Sequence, residues 1–165
     1  MLIATGKTLV IGIADMKISD NPNSSLITYS LGSCLGIAIY DPMVKVGGLL
    51  HVMLPEANNE KYSGDFNPFK YVDSGVPLLF KAAYKFGAEK RRLKVTVVGG
   101  AQILDDSGYF NIGKRNLLML RKLFWKNGIM IDKEHVEGNI SRTMMLSLAD
   151  GEIMLKLGGN KEIVL

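Results

Sequence analysis

The sequence is poor in the residues that build disulfide or metal scaffolds, because its 165 residues contain one cysteine and two histidines. A single cysteine excludes an internal disulfide and favours a reducing compartment. A structural zinc site usually takes four cysteine or histidine ligands, and Cys34, His51 and His135 are too few for one. The sequence therefore predicts a free thiol, with no metal and no cofactor.

Long apolar runs are also missing. No stretch approaches the roughly 18 consecutive apolar residues that a membrane-spanning helix needs. The segment TLVIGIA at residues 8–14 lacks the basic flank and the cleavage site of a signal peptide. We therefore expect a cytoplasmic protein without membrane insertion. The net charge is only +4, and no aromatic residues interleave with the basic cluster at 89–94, so we expect no nucleic-acid partner.

The composition is that of a globular domain, with 47% hydrophobic and 22% charged residues. The length predicts one domain over residues 1–165, and a monomer is the default expectation. Apolar alternation predicts strands at both ends of the chain, with two helices between them, which indicates an α+β fold. The predicted strands cover residues 8–14, 26–29, 35–40, 46–54, 93–98, 129–131, 142–148 and 152–157, with a short one near His135; the helices cover about 73–86 and the segment from Asn111 to Asn127-Gly128. Asp150-Gly151 predicts a hairpin turn between the last two strands.

Residues 30–42 read SLGSCLGIAIYDP, which places the one thiol between a tight turn and an apolar strand. If a four-residue loop joins this strand to the next, Tyr40 faces Lys45. In that register Cys34 is the direct cross-strand partner of His51, on the less apolar face. A slip of one residue would separate the two side chains and would also misalign the apolar face.

A thiol beside an imidazole is typical of cysteine-dependent acyl transfer, because the imidazole can accept the thiol proton. The turn at Gly32-Ser33 offers backbone N–H groups for a developing oxyanion. A third group would orient the imidazole, and the sequence leaves four candidates open: Thr28, Tyr29, Ser30 and Asp41. The alternative interpretation is a structural thiol, since unpaired cysteine is among the most buried residue types.

Two other features have structural interpretations. Gly99-Gly100 follows a predicted strand but lacks the spacing of a phosphate-binding loop, so it predicts a tight strand exit. His135 is interpreted as a surface residue.

The stretch from Thr28 to Pro55, TYSLGSCLGIAIYDPMVKVGGLLHVMLP, strongly resembles the signature of the CheD family, the chemoreceptor glutamine deamidases of chemotaxis. The elements LGSC, DP, GG and HxMLP stand in the family's order. Further matches are YVDS at 71–74, GGAQ at 99–102, NIGKRN at 111–116 and GN at 138–139. The resemblance covers essentially the whole chain. One departure is Glu137, where the family pattern has glycine.

The resemblance implies an enzyme that hydrolyses receptor glutamines to glutamate and ammonia through a thioester. It implies that Cys34 is the nucleophile, His51 the base and Thr28 the residue that holds the histidine. It also implies a three-layer α/β/β sandwich, similar to that of toxins that deamidate small GTPases, and a CheC-like phosphatase as a second partner. The alternatives are a non-catalytic regulator that binds and stimulates such a phosphatase, or a general Cys/His hydrolase or transamidase with another substrate.

Overall fold

The computed structural model describes residues 6–103 and 110–165, which contain ten strands and two α-helices. The strands are β1 (Lys7–Val10), β2 (Asp15–Ser19), β3 (Ser24–Leu31), β4 (Leu35–Asp41), β5 (Val46–Val52), β6 (Lys94–Gly99), β7 (Lys133–Val136), β8 (Arg142–Ser147), β9 (Ile153–Leu157) and β10 (Glu162–Val164); the helices are α1 (Val72–Lys85) and α2 (Ile112–Lys126). No helix in this described part has both the length and the hydropathy needed to cross a bilayer.

The strands form two five-stranded sheets. The outer sheet has the order β1-β3-β8-β9-β10, and the central sheet has the order β2-β5-β4-β6-β7. Helices α1 and α2 cover one face of the central sheet, and the outer sheet covers its other face. This is the α/β/β layer order of an α+β fold, so the predicted fold class is confirmed.

Strict alternation along β4 explains the layers. Leu35, Ile37 and Ile39 pack against the helices, whereas Ala38 and Tyr40 pack against the outer sheet. All seven residues of β4 are buried, as expected for a strand that is covered on both faces. The two strand faces predicted from the sequence are therefore confirmed.

Helix α2 begins and ends where the sequence predicts. Asn111 occupies the position before its first residue, and Asn127 follows its last. Leu117, Leu120 and Phe124 are buried against the central sheet. The predicted hairpin between the last two strands is also confirmed, because β8 and β9 pair antiparallel. Its connection is longer than the predicted two-residue turn, since it covers residues 148–152, where Gly151 has a φ of +79°.

Two predictions of strands need correction, and one strand was not predicted. The segment 8–14 is not one strand: β1 ends at Val10, Ala14 has a φ of +56°, and β2 then joins the central sheet. Residues 129–131 form no strand, since the N–H of Ile129 donates to Phe124 at the end of α2. Strand β10 had no prediction. The assignment of residues 1–165 to one domain stays a prediction, and residues 1–5 and 104–109 lie outside the described part.

The basic cluster at residues 89–94 is tied to acidic neighbours. Arg92 forms an ion pair of 2.9 Å with the buried Asp41, and Arg91 pairs with Glu89 at 2.8 Å. Two cations of this cluster are therefore paired with acidic side chains of the protein itself.

Candidate active site

Thr28 and His51 join the two sheets in the middle of the molecule. Thr28 lies on β3 of the outer sheet and His51 on β5 of the central sheet, and both are fully buried. Their side chains meet in a hydrogen bond of 2.7 Å between Thr28 Oγ1 and His51 Nδ1. The imidazole of His51, which β5 of the central sheet carries, is therefore held by a residue of the outer sheet.

The hydrogen bonds of Thr28 fix the tautomer of His51. Thr28 Oγ1 donates its one proton to the carbonyl of Ile11 over 2.8 Å, because a carbonyl can only accept. The contact with His51 must then run the other way, with Nδ1–H donating to Thr28. This leaves Nε2 with its lone pair, and Nε2 is buried and has no hydrogen-bond partner among the described residues.

Burial keeps both reactive groups neutral at rest. It lowers the pKa of His51 from 6.5 to about 4, since a charged imidazole is poorly solvated there. Burial also raises the pKa of the Cys34 thiol, against a smaller opposite effect from its own backbone N–H. The site therefore starts as thiol and imidazole rather than as an ion pair, which suits general-base activation of the thiol.

The register of β4 and β5 differs from the predicted one by two residues. The partner of His51 is Gly36, and Asp41 pairs with Val46, so the prediction that Cys34 faces His51 directly is wrong. Because side chains alternate with a period of two, a shift of two residues keeps them on the same face. Cys34 is the diagonal neighbour of His51, a position that long side chains span. The two reactive groups thus share the layer between the sheets.

Cys34 lies at the accessible edge of that layer. It is half-buried and packs against the apolar residues between the sheets. It also lines an open cleft of about 800 Å³, together with Gly100, Ile103, Phe110 and Lys114. The sulfur is therefore reachable from outside, whereas the imidazole stays behind it.

A tight turn presents Cys34 to the cleft. The N–H of Gly32 donates to the carbonyl of Ser30 over 3.0 Å, so Gly32 shapes the turn and is no free donor. The N–H groups of Ser33 and Cys34 meet no backbone acceptor in the part of the chain that the structure describes. The oxyanion role of Gly32 and Ser33 stays a prediction, and the amides of Ser33 and Cys34 are the ones in this turn without a backbone acceptor among the described residues.

Gly99 and Gly100 form the tight strand exit that the sequence predicts. Gly99 has a φ of +113°, and a Cβ there would lie 2.2 Å from the carbonyl oxygen of Cys34. The N–H of Gly100 donates to that same oxygen over 2.9 Å. Only glycine allows the end of β6 to approach the backbone of Cys34 so closely.

Of the four residues that could orient the imidazole, only Thr28 contacts it within residues 6–103 and 110–165. Tyr29 and Ser30 are exposed at a bulge of β3. Asp41 lies at the far end of β4. Burial acts to raise the pKa of Asp41, but hydrogen bonds from the Glu89 N–H and from Arg92 outweigh this effect and lower it.

The buried Arg142 fixes the backbone at the rim of the cleft. This role was not predicted from the sequence. Arg142 on β8 donates to Nδ1 of His135, over 2.7 Å, and to the carbonyl of Glu137, also over 2.7 Å. Burial is the largest of the causes that lower the pKa of His135. His135 is partly exposed, and the interpretation as a surface residue did not include this contact with Arg142. Glu137 has a φ of +67°, which explains why a glycine is expected there.

The described residues hold no group of three or more His, Cys, Asp and Glu side chains that could bind a metal ion. The groups that the described residues bring to this site are the thiol of Cys34, the imidazole of His51 and the backbone amides around them. Fold and site together define a layered α+β protein with a buried histidine behind an accessible cysteine.

Comparison with known proteins shows the family to which this layered α+β protein, with its cysteine and buried histidine, is related. The sequence model of the family described as "CheD chemotactic sensory transduction" matches residues 53–157. The chain is 46% identical over 151 residues to "Probable chemoreceptor glutamine deamidase CheD 1" of Syntrophus aciditrophicus, covering 92% of this chain and 94% of that protein. It is 42% identical to the protein named "Probable chemoreceptor glutamine deamidase CheD" in Solibacter usitatus, with coverages of 94% and 93%. It is 41% identical to the protein of the same name in Pyrococcus horikoshii, with coverages of 91% and 92%.

The chain belongs to the CheD family. Among solved structures, a Neisseria meningitidis protein of the family DUF152 is 10% identical and gives a TM-score of 0.45, covering 81% of this chain and 63% of that one. This structural similarity is too low to support any conclusion about the present chain. Membership of the CheD family confirms the resemblance noted from residues 28–55.

Proposed function

We propose that this protein is a cysteine-dependent deamidase that hydrolyses glutamine side-chain amides of chemoreceptors to glutamate and ammonia. The observation that carries the proposal is the unpartnered Nε2 of His51, which Thr28 holds in the tautomer of a base. It lies on the same strand face as the accessible Cys34. The names of the relatives supply the substrate class.

The first half of the reaction forms a thioester. His51 Nε2 takes the proton of Cys34 as the sulfur attacks the carbonyl carbon of the glutamine amide. The amide N–H groups of Ser33 and Cys34 then stabilise the oxyanion of the tetrahedral intermediate. The imidazolium returns its proton to the nitrogen, ammonia leaves, and the acyl group stays on Cys34.

The second half releases the product. With ammonia gone, Nε2 is again a free base and deprotonates a water molecule that attacks the thioester. The thiolate leaves and recovers its proton from the imidazolium, which restores the starting site and releases glutamate. Thr28 keeps Nδ1 as the protonated nitrogen in both halves, so the same nitrogen serves as acceptor and donor each time.

The shape of the site suits a side chain carried on a larger protein. The cleft is open and lined by the exposed Phe110 and by Ile103, while the thiol lies at its floor. A glutamine side chain is long enough to bring its amide to Cys34 while its own backbone stays outside. A helical segment of a receptor is the substrate that we assign to this cleft.

A CheC-like phosphatase partner stays a prediction from the resemblance, and a monomer stays the default expectation. The rival function, a regulator that binds such a phosphatase without catalysis, requires neither a free base at His51 nor an accessible thiol. The presence of both favours the enzyme.

Mass spectrometry of a receptor cytoplasmic fragment tests the proposal. After incubation with the protein, specific glutamines of the fragment should carry the mass increase of conversion to glutamate. The variant Cys34→Ala should abolish this change, whereas Met43→Ala, an exposed substitution in the β4–β5 loop, should not affect it. If cognate receptors remain unmodified while a CheC-like phosphatase still binds, the regulator is the correct function.

A further inference from the structure

We infer that Asn116 is a positioning residue that sets the distance between Cys34 and His51 by bridging the ends of their two strands. The inference rests on the proposed function for its catalytic consequence. Its structural basis is independent of the substrate. Asn116 lies on α2 and is fully buried.

The bridge continues the strand ladder beyond the point where the ladder ends. The last residue pair of β4 and β5 at this end is Leu35 with Val52. Beyond this pair, Asn116 Nδ2 donates to the carbonyl of Ser33, two residues before Leu35, and to the carbonyl of Met53, one residue after Val52, each over 3.0 Å. The amide group of one side chain therefore links the two strand ends just beyond the last residue pair.

Both anchored carbonyls adjoin the reactive residues. Ser33 directly precedes Cys34, and Met53 follows His51 by two positions. Since Cys34 and His51 are diagonal neighbours, the separation of these strand ends controls how closely the sulfur approaches Nε2. The bridge limits that separation.

Asn116 acts from the other side of the sheet. Helix α2 packs on the helical face of the central sheet, whereas Cys34 packs in the layer between the two sheets. The recorded partners of the Asn116 side chain are the two backbone carbonyls. It therefore acts through the backbone that carries the thiol and the imidazole.

The remaining polar atom of Asn116 is unsatisfied. Its Oδ1 is buried and has no hydrogen-bond partner within the described residues. A buried acceptor without a donor is unfavourable, so packing alone would favour an apolar side chain of similar size. Asn116 supplies two N–H donors at this position in spite of the free-energy cost of its unsatisfied Oδ1.

A double-mutant cycle on the reactivity of Cys34 tests the inference. The rate of alkylation by iodoacetamide at neutral pH is measured for the wild type, Asn116→Leu, His51→Gln and the double variant. If Asn116 acts by positioning the thiol against the imidazole, Asn116→Leu lowers the rate about fivefold or more. In the His51→Gln background the same substitution should then change the rate by less than about twofold.

Every other pattern overturns the inference. Equal changes in both backgrounds mean that Asn116 only supports the fold, no change in either means that the bridge is irrelevant, and a faster rate means that the substitution merely exposes the thiol. Asn116→Ser keeps one donor in a smaller side chain and should give an intermediate rate if Asn116→Leu does not fold. Leu120→Val, also buried on α2, controls for a general loosening of the helix and should leave the rate unchanged.

Deamidation kinetics give a separate readout. Positioning predicts a lower kcat with an unchanged KM for Asn116→Leu, because the cleft surface that meets the substrate is intact. If the wild type modifies no receptor at all, the proposed function fails but the alkylation cycle still decides the role of Asn116.

Discussion

Thr28 on the outer sheet and His51 on the central sheet are joined by a hydrogen bond of 2.7 Å, which holds the imidazole from the facing sheet. The hydroxyl of Thr28 is itself held by the carbonyl of Ile11. The imidazole orientation thus depends on the packing of one sheet against the other. A substitution at Thr28 therefore alters the hydrogen bonding of His51 without altering Cys34.

Thr28→Val should lower kcat for deamidation by about 10- to 100-fold, a part of what a general base contributes. Valine has nearly the same shape but accepts no hydrogen bond, so Nδ1 loses the partner that fixes its proton. Thr28→Ser retains the hydroxyl and should keep most of the activity. Equal activity of the valine and serine variants in steady-state assays would contradict this role.

The pH dependence of stability should reflect the neutral, buried His51. Its pKa is about 4 in the folded protein and 6.5 when solvated, so between these values the unfolded chain binds more protons than the native one. Stability should therefore be complete above pH 6.5 and should fall as the pH drops toward 4. Urea unfolding of the wild type and His51→Gln over this range measures the effect.

His51→Gln should show a flatter pH profile than the wild type. His135 also has a lowered pKa and contributes in the same direction, so the difference between the two proteins isolates the share of His51. Parallel profiles would show that His51 titrates normally. In the same account the acid limb of kcat/KM lies near pH 4, well below the ordinary histidine range.

Arg142→Lys should lower the free energy of unfolding by about 1–3 kcal/mol. The guanidinium serves three acceptors, namely His135 Nδ1 and the carbonyls of Gly99 and Glu137, and an ammonium group cannot match this planar arrangement. Urea denaturation measures the loss. Arg115→Lys, an exposed change on α2, should stay within about 0.5 kcal/mol of the wild type.

Glu137→Gly should stabilise the protein by up to about 1 kcal/mol, because Glu137 has a left-handed backbone with φ +67°. Gly138→Ala is the matched test of opposite sign, since Gly138 has φ +75° and a Cβ there would make only an ordinary contact, at 3.8 Å from Arg142 Nη2. Thermal unfolding of both variants decides the matter. A less stable Glu137→Gly protein would mean that the carboxylate has a role that outweighs the backbone strain.

The sequence predicts the layers better than it predicts the exact pairing. The apolar residues of β4 determine which face of the sheet each side chain occupies. A shift of the β4–β5 pairing by two residues leaves that assignment unchanged. Alternation therefore places Cys34 and His51 on one face but cannot tell Gly36 from Cys34 as the partner of His51. The exact register depends on a loop at residues 42–45 in which Lys45 has φ +54°.

The supporting residues of the site were harder to predict, because their contacts join distant segments. Thr28 reaches His51 across two sheets, and its local sequence does not distinguish it from Ser30; only the family resemblance pointed to it. Asn116 stands in the matched NIGKRN segment, but nothing in the helical pattern indicates that its amide reaches Ser33 and Met53. Arg142 is the one charged residue of β8, whose sequence is RTMMLS, and this is the signal that could have identified it as a buried contact.

The most direct test of the account is the trapping of an acyl intermediate. A receptor fragment is mixed with excess protein, quenched in acid within the first turnover and analysed by peptide mass spectrometry. The account predicts a substrate adduct on the peptide that contains Cys34, and loss of both adduct and ammonia release in Cys34→Ser. Ammonia release that persists in Cys34→Ser, or that occurs without any adduct on Cys34, would contradict it.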